Sequence, residues 1–349
     1  MIQLQGISKQ YGEFNALKNI NLELHEKEFV AVLGPSGCGK TTLLKLLAGF
    51  MKPSTGQIKL DGQLIASKKT LIPPEKRNIS MVFQSHALWP HMNVEEHIYF
   101  PLKHHHFGKI HDKSEQESAV TEILELVGLE KLRHRFPSEL SGGQMQRVSL
   151  ARAIAPKPSL LLMDEPLSAL DAELRIDMRK EIQRIHRQLG TTIVFVTHDQ
   201  GEALAMADRI IVMNNGEIEQ VDAPENLYTR PKSIFVSTFV GKSNVIMGKW
   251  VSDDTFIPSQ FPLVTWKDIG IPTELKNQHV FPVRPEQWIV GDPEPNVITG
   301  KVLFSQFQGN EIQYSVSVNE NTISVTAPAM QKRYIPGESV SLKILAAIN

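Results

Sequence analysis

The sequence has a single cysteine in 349 residues. Cys38 can form no disulfide within the chain, and a lone thiol fits a reducing compartment. Neither sign of charge is in excess: 37 Lys and Arg against 38 Asp and Glu leave a net charge of −1. That balance excludes a global attraction to nucleic acid or to an anionic membrane. No uncharged apolar run approaches the ~20 residues that cross a bilayer, so a membrane role is expected to come through a partner. The opening Met1-Ile2-Gln3-Leu4-Gln5 has no signal-peptide pattern. Internal repeats and low-complexity stretches are also missing. Hydrophobic residues make up 41% of the chain, enough for full-sized cores. The length predicts one large or two medium domains.

The strongest local signal is Gly34-Pro35-Ser36-Gly37-Cys38-Gly39-Lys40-Thr41-Thr42. It follows an apolar run, Phe29–Leu33, that reads as a buried strand, and precedes Leu43–Ala48, which reads as a helix. The spacing G-x-x-x-x-G-K-T is a phosphate-binding loop. Gly34, Gly37 and Gly39 let the backbone curl until its N–H groups point into one anion-sized hollow, and the helix N-terminus adds partial positive charge. Lys40 can reach β- and γ-phosphates, and the Thr41 hydroxyl can ligate Mg²⁺.

Other candidates follow along the chain. Residues 2–8 and 18–32 read as strands around the turn Gln10-Tyr11-Gly12, a platform for a base. Tyr11 would stack on adenine, a contact worth ~1–3 kcal/mol. Ile79–Phe83 is a short buried strand ending at Gln84, which can carry Mg²⁺ or the attacking water. From Ser85 to about Ala155 the pattern turns helical, which predicts an insertion in an α/β core. Ser141 is a good N-cap for a helix opening Gly142-Gly143-Gln144, and two glycines there suggest a bare helix start and a second anion site. Ser159–Met163 is wholly apolar, as in a parallel strand covered on both faces. It ends in Asp164, placed for Mg²⁺, and Glu165, placed to activate water. A helix runs from Ala172 to about Leu189, after the loop ending at Asp171. A further strand, Thr191–Thr197, ends at His198, which can contact a γ-phosphate. Three consecutive histidines at 104–106, with His86, His91, His97 and His111, lack partners at ligand spacing and read as a solvated basic face.

Composition shifts near Val240-Gly241. Short alternating runs beyond it, separated by Gly, Pro, Asn and Asp, predict an all-β region of one or two small barrels. The expected domains are residues 1–240, with a helical subdomain at about 86–155, and residues 241–349.

Taken together, these residues resemble the ATP-binding cassette (ABC) subunit of an ABC transporter over essentially residues 2–240. The phosphate loop alone is shared with many NTPases. Leu140-Ser141-Gly142-Gly143-Gln144 is similar to the far more specific ABC signature. Gln84 matches the Q-loop glutamine, Asp164 and Glu165 the Walker B pair, Asp171 the D-loop aspartate, His198 the switch histidine and Tyr11 the adenine-stacking aromatic. The resemblance implies an α/β P-loop NTPase core with a helical insertion, followed by a small all-β OB-like barrel. It implies a Mg²⁺-dependent ATPase working as a head-to-tail homodimer. In that dimer Ser36, Cys38, Thr42 and the rest of the loop face the signature segment and Asp171 of the other subunit across ATP. The β region resembles the regulatory domain of importer ATPases, particularly around Val283-Arg284-Pro285-Glu286. Implied partners are integral membrane permease subunits and, indirectly, an extracytoplasmic solute-binding protein, with the chain at the cytoplasmic face of the membrane. Ferric iron, phosphonate, polyamine and sugar are the solute classes. The rival reading is a non-transport ABC ATPase clamping ribosome or DNA. It usually needs two cassettes or a long coiled coil, and neither is present, nor is a basic composition that would attract nucleic acid.

Overall fold

The computed structural model describes residues 1–295, 297–319 and 321–345. Backbone contacts divide it into two compact units, Met1–Pro224 and Glu225–Asn349.

In the first unit the strands and helices run β1 (Ile2–Tyr11), β2 (Phe14–Leu24), β3 (Phe29–Leu33), α1 (Lys40–Ala48), β4 (Thr55–Leu60), β5 (Gln63–Ser67), β6 (Ile79–Val82), α2 (Val94–His104), α3 (Lys113–Val127), α4 (Gly142–Ile154), β7 (Leu160–Asp164), α5 (Ala172–Leu189), β8 (Thr192–Val196), α6 (Gln200–Met206), β9 (Arg209–Asn214) and β10 (Glu217–Asp222). A six-stranded sheet has the order β10-β9-β3-β8-β7-β6, parallel from β9 to β6. Every residue of β3 and β8 is buried, as expected where both faces are covered. Side chains of β3 alternate between two cores: Val30 and Val32 belong to the core of α1, whereas Phe29 belongs to the core that α2 to α5 share, its ring edge-on to His186 of α5.

A second sheet, β2-β1-β4-β5, is antiparallel throughout. The run 18–32 is two strands in different sheets. Charged His25-Glu26-Lys27-Glu28 breaks it, with Lys27 at φ 58°.

Helix α1 is held at its C-terminal end by Arg77, which is 1% exposed. Its guanidinium donates to the carbonyls of Leu46 and Leu47 in the last turn, and to Ile72 and Ile65. A cation at a helix C-terminus also suits the helix dipole. Burial lowers this guanidinium to about 10, still charged at neutral pH. Arg77→Met keeps length and volume but strands four buried carbonyls. Calorimetry of the full chain should show the cassette transition destabilised by ~2–3 kcal/mol. A transition unmoved from wild type would mean that water replaces the guanidinium at no cost.

The second unit is strand-rich and antiparallel. Its elements are α7 (Pro224–Thr229), α8 (Ile234–Phe239), β11 (Asn244–Ser252), β12 (Thr255–Pro258), β13 (Trp266–Lys267), α9 (Thr273–Lys276), β14 (Val280–Val283), β15 (Trp288–Gly291), β16 (Ile298–Phe307), β17 (Glu311–Val318), β18 (Asn321–Pro328) and β19 (Ser339–Ile344). They form sheets of order β13-β12-β11-β14 and β15-β19-β16-β17-β18, as in an OB-like domain. The composition boundary at 240/241 lies inside this unit, which begins at Glu225. Buried Arg284 accounts for the difference: it donates to the carbonyls of Tyr228, Ser237 and Val240, binding α7 and α8 to the β region.

Candidate functional site

The loop between β3 and α1 is shaped by Gly39. Its φ is 109°, and a Cβ there would lie 2.5 Å from the Ala16 carbonyl oxygen and 2.7 Å from Leu17. Only glycine accepts both that dihedral and that contact. Lys40 is 6% exposed and folds over the loop, its ammonium donating to Gly34 O at 2.7 Å and Pro35 O at 2.9 Å. Cys38 is buried beneath, its Sγ 4.0 Å from the same nitrogen. Burial raises this thiol, and the Lys40 charge opposes the shift only in part.

A cleft of about 310 Å³ opens above the loop. Its floor is Ser36, Gly37 and Gly39 to Thr42, and one wall is Tyr11, Phe14 and Ala16 from the β1–β2 ribbon. Tyr11 pairs with Phe14 across that ribbon, and both rings are exposed. Lys9 lies 5.2 Å over the Tyr11 ring, and the Tyr11 hydroxyl donates to Met51 Sδ at 3.1 Å. Tyr11 was legible as the exposed aromatic of this ribbon. Phe14 and Ala16 were not, because only strand pairing brings them beside it.

Glu165 closes the opposite end of the cleft. Its φ is 45°, in the left-handed region, and its N–H donates to Val196 O at 3.0 Å, tying the end of β7 to β8. The carboxylate then meets His198, with Nδ1 to Oε2 at 3.1 Å. Asp164, one residue earlier, accepts from the Thr41 hydroxyl at 3.4 Å. Burial first, then the Glu165 charge, push Asp164 above the usual carboxylate range. Gln84 donates to Ser168 Oγ at 3.5 Å, and Ser168 donates to Glu165 O at 2.9 Å. Ser168 is a link that spacing could not reveal.

The structure therefore gathers Tyr11, the loop, Asp164, Glu165 and His198, with Gln84 joined through Ser168. Ser141, Gly142, Gly143, Gln144 and Asp171 do not line this cleft among the described residues. Ser141 and Gln144 form a reciprocal cap on α4: Gln144 N–H donates to Ser141 Oγ, and Ser141 N–H to Gln144 Oε1. The expected bare start is only half present. Gly142 is open, but Gly143 is buried, and a Cβ on it would lie 2.4 Å from Leu174. Gly143 thus lets α5 pack against α4. Asp171 caps α5, accepting from Leu174 N–H at 2.9 Å.

Of the histidines read as a solvated face, His91, His104, His106 and His111 are exposed, but His97 departs from that reading. His97 is fully buried, its two ring nitrogens joined to Asn93 O and Trp89 N–H, and burial lowers its pKa. Among the described residues no group of three His, Cys, Asp or Glu could hold a metal ion. Among the described residues no helix is long and apolar enough to cross a membrane.

Comparison with known proteins gives the family. The profile of the ABC transporter family matches residues 17–168, and that of the TOBE domain residues 282–347. The spermidine/putrescine import ATP-binding protein PotA of Chromobacterium violaceum is 42% identical over 97% of this chain and 92% of its own length. The chain belongs to the ABC transporter family. It is an importer-type ABC ATPase with a TOBE domain, and it binds ATP as the family does. The trehalose/maltose import ATP-binding protein MalK of Thermococcus litoralis is 45% identical over 82% of this chain and 78% of its own length. Among solved structures, the ATP-binding cassette MJ0796, a dimer in a post-hydrolysis state bound to ADP and Pi, covers 64% of this ABC ATPase and 99% of its own chain. The two share 33% identity at a TM-score of 0.56.

Proposed function

We propose that this ATPase energises import of a small solute from the cytoplasmic face of the cell membrane, as a head-to-tail homodimer. The observation that carries the dimer is the separation of the two anion-binding segments. Ser141 and its helix start lie outside the cleft that holds Lys40, so a second copy is needed to bring them to one nucleotide. The dimeric MJ0796 cassette supports the same reading.

Within each cleft, Tyr11 would stack on adenine, and the loop N–H groups and Lys40 would hold the β- and γ-phosphates. The hydroxyl of Thr41 and the carboxylate of Asp164 supply hard oxygen donors that meet at one point and suit Mg²⁺. A divalent cation there would relieve the burial and repulsion that raise Asp164, and when bound it supplies neutralising charge to the phosphates. Gln84 is the third candidate ligand, through its link to Ser168. Glu165 would orient and polarise water, and His198 would hold that water and the γ-phosphate in line. Ser141, Gly142, Gly143 and Gln144, with Asp171, would close the partner's site and stabilise developing charge.

We assign the permease contact to the cleft of about 290 Å³ walled by Met81, Trp89, Phe100 and His104, since it adjoins the strand leading into Gln84. Of the four solute classes, polyamines and sugars are those named for the relatives, and polyamine is the leading choice. The test is purification of the tagged full chain from native membranes, then reconstitution of whatever integral membrane subunits accompany it. ATP-dependent uptake of spermidine or putrescine, with no uptake of maltose, is expected. Recovery with ribosomes or DNA and without any membrane subunit would favour the rival clamp.

A further inference from the structure

Arg175 lies one turn inside α5 and makes no contact with the cleft. Its guanidinium reaches two loops at once. One arm donates to Leu170 O at 3.0 Å, immediately before Asp171. Another arm pairs with Asp199 at 3.5 Å, and Nε lies 3.8 Å from Glu202 Oε1, an ion pair without a hydrogen bond. Both carboxylates follow His198 closely in the chain, Asp199 directly and Glu202 in the first turn of α6. Glu202 is 3% exposed and its other oxygen accepts from the Thr197 hydroxyl at 2.6 Å. Thr197 Oγ in turn accepts from Asp199 N–H at 3.0 Å. The two residues on either side of His198 are therefore fixed by one buried carboxylate and one guanidinium. Burial, above all, raises Glu202 above the usual carboxylate range; the Thr197 hydroxyl and the positive charges of Arg175 and Arg179 hold it down.

We propose that Arg175 is a positioning residue for ATP hydrolysis, locking the segment before Asp171 to the segment that carries His198. The proposal rests on the role assigned to His198 above. A planar fork suits this task, since one side chain must meet a carbonyl and two carboxylates in different directions. Loss of the fork would let His198 drift relative to Glu165. A displacement of about 1 Å in a catalytic group can cost ~10²-fold in rate.

The test is steady-state Mg²⁺-ATP hydrolysis by the full chain. Arg175→Ala should lower kcat about tenfold and leave KM within about twofold. Arg175→Lys, a cation without the fork, should recover little of the loss. In a double-mutant cycle, Arg175→Ala added to His198→Ala should cost almost nothing further. The same change added to Tyr11→Ala should multiply the two losses. A merely structural role would instead lower thermal stability and multiply with both. Should Arg175→Ala fail to fold, Glu202→Gln, nearly isosteric, enters the same cycle and is read the same way.

Wild-type kcat in Arg175→Ala, or multiplicative losses with His198→Ala, would overturn the proposal while leaving the catalytic assignment intact. Wild-type turnover in His198→Ala would instead overturn that assignment, and this inference with it.

Discussion

Glu165→Gln should hydrolyse ATP at least ~10²-fold more slowly than wild type and accumulate as an ATP-bound dimer. The change keeps the shape of the side chain and a hydrogen-bonding group. It removes the negative charge that would polarise water, a general-base contribution of typically ~10²–10⁴-fold. The left-handed backbone at Glu165 and its N–H bond to Val196 O are untouched, so the amide should occupy the same place. Lys40, Thr41 and Asp164 also stay, so nucleotide binding should persist. Adding Ser141→Arg then tests whether a partner completes the site. Arginine cannot take part in the reciprocal cap with Gln144, and its bulk would stand where the γ-phosphate of the other copy is received. Size-exclusion chromatography with Mg²⁺-ATP should show dimer for Glu165→Gln and monomer for the double variant. A dimer indifferent to Ser141→Arg would remove the signature segment from the partner's site and end the head-to-tail reading.

Lys40→Ala should also reduce turnover by at least ~10²-fold with the fold preserved, comparable to loss of one transition-state donor. Lys40 is the one ammonium that the loop encloses, and Lys45 on the same helix does not line the cleft. Its folded-state partners are two carbonyls of its own loop, Gly34 O in a buried contact and Pro35 O in a partly buried one. Loss of the ammonium leaves the buried Gly34 carbonyl without this donor, so a stability cost of ~1–3 kcal/mol should accompany the loss of turnover. Circular dichroism and thermal melting alongside the turnover assay separate the two effects. Near-wild-type turnover in a folded variant would place the chemistry elsewhere.

Legibility from sequence followed the range of the interactions. The phosphate loop was readable because its chemistry demands glycines, lysine and threonine at fixed spacing within nine consecutive residues. The carboxylates at the end of β7, Asp164 and Glu165, were readable because an apolar run must end where its polar residues begin. Contacts that depend on pairing or packing were hidden. Phe14 joins the wall beside Tyr11 only through the register of β1 on β2. Ser168 links Gln84 to Glu165 across a long separation in the chain. Gly143 looked like an exposed helix start, yet Leu174 from the next helix covers it. His97 looked solvated by its basic neighbours, but helix α2 turns it inward. Arg284 likewise draws two helices into the second unit, moving the boundary away from the change in composition.

The closure of Lys40 over its own loop bears on ligand selection. The cation already has company, so an entering anion does not fill a vacant positive hole; it takes part in an exchange. Bonds from an ammonium to neutral carbonyls are charge-assisted, worth roughly 1.5–3 kcal/mol each. A lone phosphate brings this nitrogen a full negative charge but reaches few of the other donors around it. A chain of phosphates offers more, because the same molecule also meets the successive N–H groups of the loop and the start of α1. Such a cleft ranks anions by length before it touches any base.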